Sequence, residues 1–223
     1  MQTLLTYSHA AAGALVLILG LVNFLNKKGS KTHVLTGRIY VGAMWWICLS
    51  AFLIITFYRF SFFLMVIGVL TFYASFVGVR VLNRKQHGSE KWYDWAVSII
   101  TCAFGVALFG YGVWIFLKVG GFHWLGALSL LFGFFTSQSG WKDIRFFLSD
   151  KKQEKMWWLY QHISAIGGSY VAAITAFAIQ NSRIFLPEHY NWLAWVLPAA
   201  LLSPVISGVV KKQKQKRARL AGS

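Results

Sequence analysis

Seven runs of mostly apolar residues, separated by short polar turns, leave this chain few folds to choose from. They cover about residues 3–25, 35–57, 61–82, 92–117, 122–138, 156–179 and 190–210. A bilayer-spanning helix needs about 20 such residues. The expected fold is an all-α, polytopic membrane helix bundle with seven transmembrane helices. The fifth run, 122–138, is the shortest.

Composition agrees. Charged residues make up 13% of the chain and hydrophobic ones 57%, whereas soluble domains carry about 25% charged residues. No hydrophilic stretch is long enough for a separate soluble domain. The expected organisation is one transmembrane domain over 1–210, followed by a basic, disordered tail over 211–223. The first apolar run starts almost at Met1 with no basic segment ahead of it, so it reads as a retained span rather than a cleaved signal.

The net charge is +16, which on a soluble protein would suggest nucleic acid. Here the cations sort by loop. Arg59, Lys118 and Arg183 fall on one side, and the other 19 of the 22 Lys and Arg fall on the opposite side. The larger group includes Lys27, Lys28, Lys31 and Arg38, then Arg80, Arg84, Lys85 and Lys91. Lys142, Arg145, Lys151, Lys152 and Lys155 follow, and the tail from Lys211 to Arg219 completes it. The positive-inside rule then places the N-terminus outside and the C-terminus in the cytoplasm. The charge reads as an orientation signal and as a contact for anionic lipid at the cytoplasmic face, with no nucleic-acid partner. The segment 139–155 reads as an amphipathic stretch on the membrane surface, with Trp141, Ile144, Phe147 and Leu148 on one face. Small residues recur on single helix faces, Gly13 with Gly20 and Gly105 with Gly112, and such faces allow close helix approach.

Cys48 and Cys102 lie inside apolar runs without metal-type spacing and read as small buried hydrophobes. Ionisable groups within spans are the stronger candidates, because hydrocarbon penalises them. By the topology, His9, His123 and His189 lie on the outer side and His33, His87 and His162 on the inner side. His87 and His189 sit in polar loops and read as surface residues. The remaining four form two pairs at matched depths, His9 with His123 and His33 with His162. A b-type haem with two histidine ligands needs one imidazole from each of two helices, and Gly13, Gly37, Gly126 and Ala165 would leave room beside them. The transmembrane ascorbate-reducible cytochrome b proteins are similar in layout, with a Lys shortly before a His as Lys31 precedes His33. A haem or quinone-linked redox centre with a redox partner is one reading. A second gathers His33, His162 and Asp143, with Asp94 nearby, around a zinc ion that activates water for a membrane hydrolase. In that reading Arg38 holds a phosphate or carboxylate. A third is a small-solute transporter, or a structural protein pinned by the same polar network without a cofactor.

Two stretches carry a family resemblance. KKGSKTHVLTGRIYVGAM resembles the K-G-x-x-x-H-x-x-x-G-R-x-Y-x-x-x-M signature of bacterial membrane proteins grouped as domain of unknown function 2306. DIRFF, followed by WWLYQHISAIGGSYVAAITAF, is similar to that family's later D-x-R and W-x-x-x-H…SY-x-A-x-TAF elements. The resemblance runs in order from His9 to Phe177. It implies a bacterial inner-membrane location and points to His33, Gly37, Arg38, Tyr40, Asp143, His162, Ser169 and Tyr170, with a counterpart for His9. Arg38, Tyr40, Ser169 and Tyr170 become candidate substrate-binding residues. His123 has no clear counterpart, so weight moves to the inner histidines. No activity comes with the family.

Overall fold

The computed structural model describes residues 1–86, 88–149 and 154–221; His87, Lys151 and Lys152 lie outside them. Every described element is helical. The long helices are α1 (Gln2–Leu25), α2 (Lys31–Phe57), α3 (Phe62–Asn83), α4 (Trp92–Val119), α5 (Trp124–Phe147) and α6 (Trp157–Gln180). A single turn, α7 (Ser182–Phe185), and a 3-10 turn (Glu188–Tyr190) lead into α8 (Leu193–Ala221).

Six of these helices are long and apolar enough to cross a membrane; α5 is not one of them. Of the seven spans expected from hydropathy, six correspond to helices that qualify by length and composition. The sequence reading ends the fifth run near residue 138 and places a separate surface stretch after it. Instead α5 continues through Ser139 and Gly140 to Phe147, because nothing between Gln138 and Trp141 breaks a helix. Its second half adds Lys142, Asp143 and Arg145 to the same helix, and these lower its overall hydropathy.

The far end of the chain differs too. Helix α8 does not give way to disorder at residue 211 but carries the basic segment in helical form to Ala221. Between Lys211 and Ala221 the chain has only Lys, Gln, Arg, Ala and Leu, all good helix formers. Lys214 Nζ lies over the Tyr160 ring of α6, 4.9 Å from its centroid.

Burial is inside-out relative to a water-soluble bundle. The buried positions of α4 are Asp94, Ser98, Thr101, Gly105, Leu108, Gly112 and Ile115, while Ile100 and Leu117 stand 66% and 80% exposed. Apolar surface of this extent suits lipid and not water, with small and polar residues reserved for helix contacts.

The chain forms two compact units, one of residues 1–83 with 158–223 and one of residues 84–157. In the second unit α4 and α5 form an antiparallel hairpin turned by Gly120, whose left-handed φ of 67° closes α4. Its seam is backbone on backbone. A Cβ on Gly105 or Gly112 would come within 2.9 Å of the Gly133 or Gly126 carbonyl oxygen, and one on Gly140 within 2.6 Å of the Ser98 carbonyl. The seam thus pairs Ser98 with Gly140, Gly105 with Gly133 and Gly112 with Gly126. Seven-residue steps on both helices are the period of a left-handed pair.

The first unit packs by side chains. Val16, Tyr40 and Met44 form its buried centre, flanked by Leu19, Ile47, Ile166 and Tyr170. The Tyr170 ring lies against Gly20, and its hydroxyl donates to the Leu17 carbonyl at 3.0 Å. Phe63 of α3 meets Trp195 of α8 edge-on, with ring centroids 5.2 Å apart.

Candidate functional site

The turn between α1 and α2 is held by side chains that satisfy helix ends. Lys28 Nζ donates to the Asn23 and Phe24 carbonyls at 2.6 and 2.7 Å, capping the free acceptors of α1. Partial burial there pushes the Lys28 ammonium below its ordinary pKa. Ser30 caps α2, its Oγ accepting from the His33 backbone N–H at 3.1 Å. Thr36 Oγ1 reaches Asn23 Oδ1 at 2.7 Å and ties the helices together one turn further on.

His33 sits inside this brace. Its ring is half-buried, directed toward the Asn23 carbonyl, and within electrostatic reach of both Lys28 and His162. Its Nδ1 is buried and has no hydrogen-bond partner. His162, on α6, is fixed from the other side. Its Nδ1 lies 2.7 Å from the Gly78 carbonyl of α3; a carbonyl only accepts, so Nδ1 carries the proton and Nε2 keeps its lone pair. Gly78 makes this bond possible, because a Cβ there would come within 2.7 Å of the Ile166 side chain. The structure therefore brings His33 and His162 into one unit, His33 with an unpartnered Nδ1 and His162 with Nε2 as its acceptor nitrogen.

The other candidates are distributed differently. Tyr40 and Ser169 meet directly, Oη to Oγ at 2.9 Å, and both are buried. With the Tyr170–Leu17 bond they form a clasp of α6 onto α1 and α2. Arg38 is exposed and lies with Gly29, Lys31, Val34 and Leu35 around a shallow surface depression. His9 Nδ1 lies 2.8 Å from Ser50 Oγ, bridging α1 and α2. Its expected partner His123 belongs to the second unit, where it precedes α5. Asp143 is also in that second unit, on the buried face of α5. Among the described residues no three His, Cys, Asp or Glu side chains gather as a metal-binding group. His189 is exposed, in keeping with its loop position.

Sequence reading missed one polar centre. Arg84, counted only as a loop cation, is 2% exposed, with Nη1 3.9 Å from Asp94 Oδ1. Its guanidinium carbon stands 4.5 Å from the centroid of the Phe147 ring. Asp94 also accepts from the Lys91 backbone N–H at 2.8 Å, starting α4. The ten-residue gap between Arg84 and Asp94 spans a loop, and no helical or strand periodicity links them, so only the fold shows the pair.

No family model matches the chain, and no curated protein or solved structure matches it.

Proposed function

We propose that this chain is a seven-span inner-membrane protein in which His33 and His162 would hold a b-type haem serving electron transfer. The observation that carries this reading is the two-nitrogen donor set. His33 Nδ1 is buried without a partner, and His162 is held so that Nε2 is its acceptor nitrogen. A bare metal ion generally needs at least three protein donors. A haem would carry ring donors of its own and so would need only the two imidazoles from the protein. A Cβ added at Gly37, one turn from His33, would meet nothing within 4 Å, which supports room beside that ligand. When bound, haem supplies a one-electron centre; the chain's own part is to hold two imidazoles at fixed tautomer and orientation.

The seventh span in this reading is α5. At 24 residues it is about 36 Å long at 1.5 Å per residue, enough to cross. The concentration of Lys and Arg in alternate loops supports an external N-terminus and a cytoplasmic C-terminus. The resemblance to domain of unknown function 2306 independently favours His33 and His162.

The test is an absorption spectrum of the detergent-purified full chain, oxidised and dithionite-reduced, with iron and zinc analysis of the same sample. A Soret band with sharp reduced α and β bands is expected in the parent and in Asp143→Asn. It is expected to be lost in His33→Ala and His162→Ala. About one zinc per chain without a Soret band would replace this reading with the hydrolase, and Asp143→Asn would then release the metal. Neither haem nor zinc after supplementation with both would leave a transporter or a structural protein.

A further inference from the structure

The depression beside the α1–α2 turn is lined by Gly29, Lys31, Val34, Leu35 and Arg38. Four of these fall at i, i+3, i+4 and i+7 along α2, so they share one face of the helix. The face is mixed in a specific order: a cation, two apolar side chains, then a second cation two turns along. Val34 and Leu35 are 45% and 60% exposed. Lys31 and Arg38 are exposed as well, and neither has an ion-pair partner among the described residues. Helix α2 and its neighbour α1 both qualify as membrane spans, so the turn joining them lies at a bilayer surface. In that place a solute phosphate would meet the cations but would leave the exposed Val34–Leu35 pair uncovered. A phospholipid satisfies both, its phosphate held between ammonium and guanidinium and its acyl chains laid along the apolar side chains.

We propose that this face of α2 is a binding site for one anionic phospholipid headgroup. It depends on the membrane reading but not on the His33–His162 pair. Two basic contacts near a membrane surface correspond to roughly a thirtyfold preference over a site without them. Their loss reads out directly as lost lipid.

The experiment is native mass spectrometry of the full chain released from mixed micelles. These contain phosphatidylglycerol or phosphatidylcholine with the same acyl chains. The parent is expected to retain one phosphatidylglycerol and little phosphatidylcholine. The double variant Lys31→Gln, Arg38→Gln is expected to bind phosphatidylglycerol roughly thirtyfold more weakly. Lys31→Arg, which keeps the charge, should retain the lipid. Lys211→Gln with Lys212→Gln removes the same charge from α8 and should change retention less than about twofold, since screening confines such contacts to short range. Equal retention of both lipids, or equal loss in the α8 variant, overturns the proposal. So does full displacement of phosphatidylglycerol by millimolar inorganic phosphate, which would identify a free-phosphate site instead. The absorption spectrum of the Lys31→Gln, Arg38→Gln variant should match the parent's.

Discussion

The two compact units bring helices together by opposite means. In the α4–α5 hairpin, Gly105, Gly112, Gly126, Gly133 and Gly140 remove side chains so that backbone meets backbone. In the first unit, α1, α2 and α6 are joined by side chains that reach out: Tyr40 to Ser169, Tyr170 to Leu17 and His9 to Ser50, with His162 reaching Gly78 of α3. Lipid is as apolar as Leu, so burying apolar area gives membrane helices little reason to associate. Close van der Waals contact and interhelical hydrogen bonds must do so, and this chain separates the two into different units. A backbone seam tolerates little change. A side-chain clasp can turn a rotamer, and it can also present a ring nitrogen to a ligand.

The largest effect expected concerns the polar end of the hairpin. Arg84→Met leaves Asp94 buried beside an apolar side chain and should destabilise the second unit by about 3–5 kcal/mol. Pulse proteolysis in detergent would measure it. Arg84→Met with Asp94→Asn should recover part of that loss, because the buried carboxylate charge is then gone.

Next comes the direct test of the comparison. A Cβ at Gly133 would stand 2.5 Å from the Phe109 backbone nitrogen, which cannot swing aside, so Gly133→Ala should cost about 1–3 kcal/mol. Gly20→Ala meets only the Tyr170 ring, the end of a rotatable side chain. It should cost less than Gly133→Ala in the same unfolding assay. Equal costs would erase the distinction between seam and clasp.

A smaller change sharpens it. Tyr40→Phe removes the bond to Ser169 but leaves Ser169 Oγ donating to the Ile166 carbonyl at 2.8 Å. The expected loss is about 0.5–1.5 kcal/mol, seen as a modest fall in the thermal midpoint with unchanged helicity. Ser30→Ala, which removes the cap of α2, should act at a similar level, about 1 kcal/mol. If His33 binds haem, that change should also broaden the Soret band.

Hydropathy located the long helices closely because apolar character is a local property of a residue run. The run at 92–117 became Trp92–Val119 and the run at 3–25 became Gln2–Leu25. It failed at Ser139–Phe147, where helix continuation depends on backbone bonding and on the fit of Gly140 to α4, neither of which hydropathy measures. Lys211–Ala221 escaped for a related reason: a basic composition signals solvent exposure, yet Lys, Gln and Arg also favour helix. The spacing of Gly126, Gly133 and Gly140 was readable in sequence, but its meaning required the matching face of α4. His33 and His162 stood out as histidines on apolar helices. The bond from His162 to Gly78 and the orphaned His33 nitrogen required helices far apart in sequence to be placed. Arg84 was hidden altogether, since its burial is made by Asp94 and Phe147 rather than by its neighbours in sequence.

The unusual hydropathy of α5 bears on how the chain is made. A segment carrying Lys142, Asp143 and Arg145 would not partition into lipid by itself as the ribosome delivers it. Helix α4 precedes it by one short turn and offers Gly105 and Gly112 opposite Gly133 and Gly126. If α5 is the seventh span proposed above, the two would leave the insertion machinery as a preassembled pair, and damage to the glycine seam would show first as a failure of α5 to enter the bilayer, before any folded protein exists to be unstable.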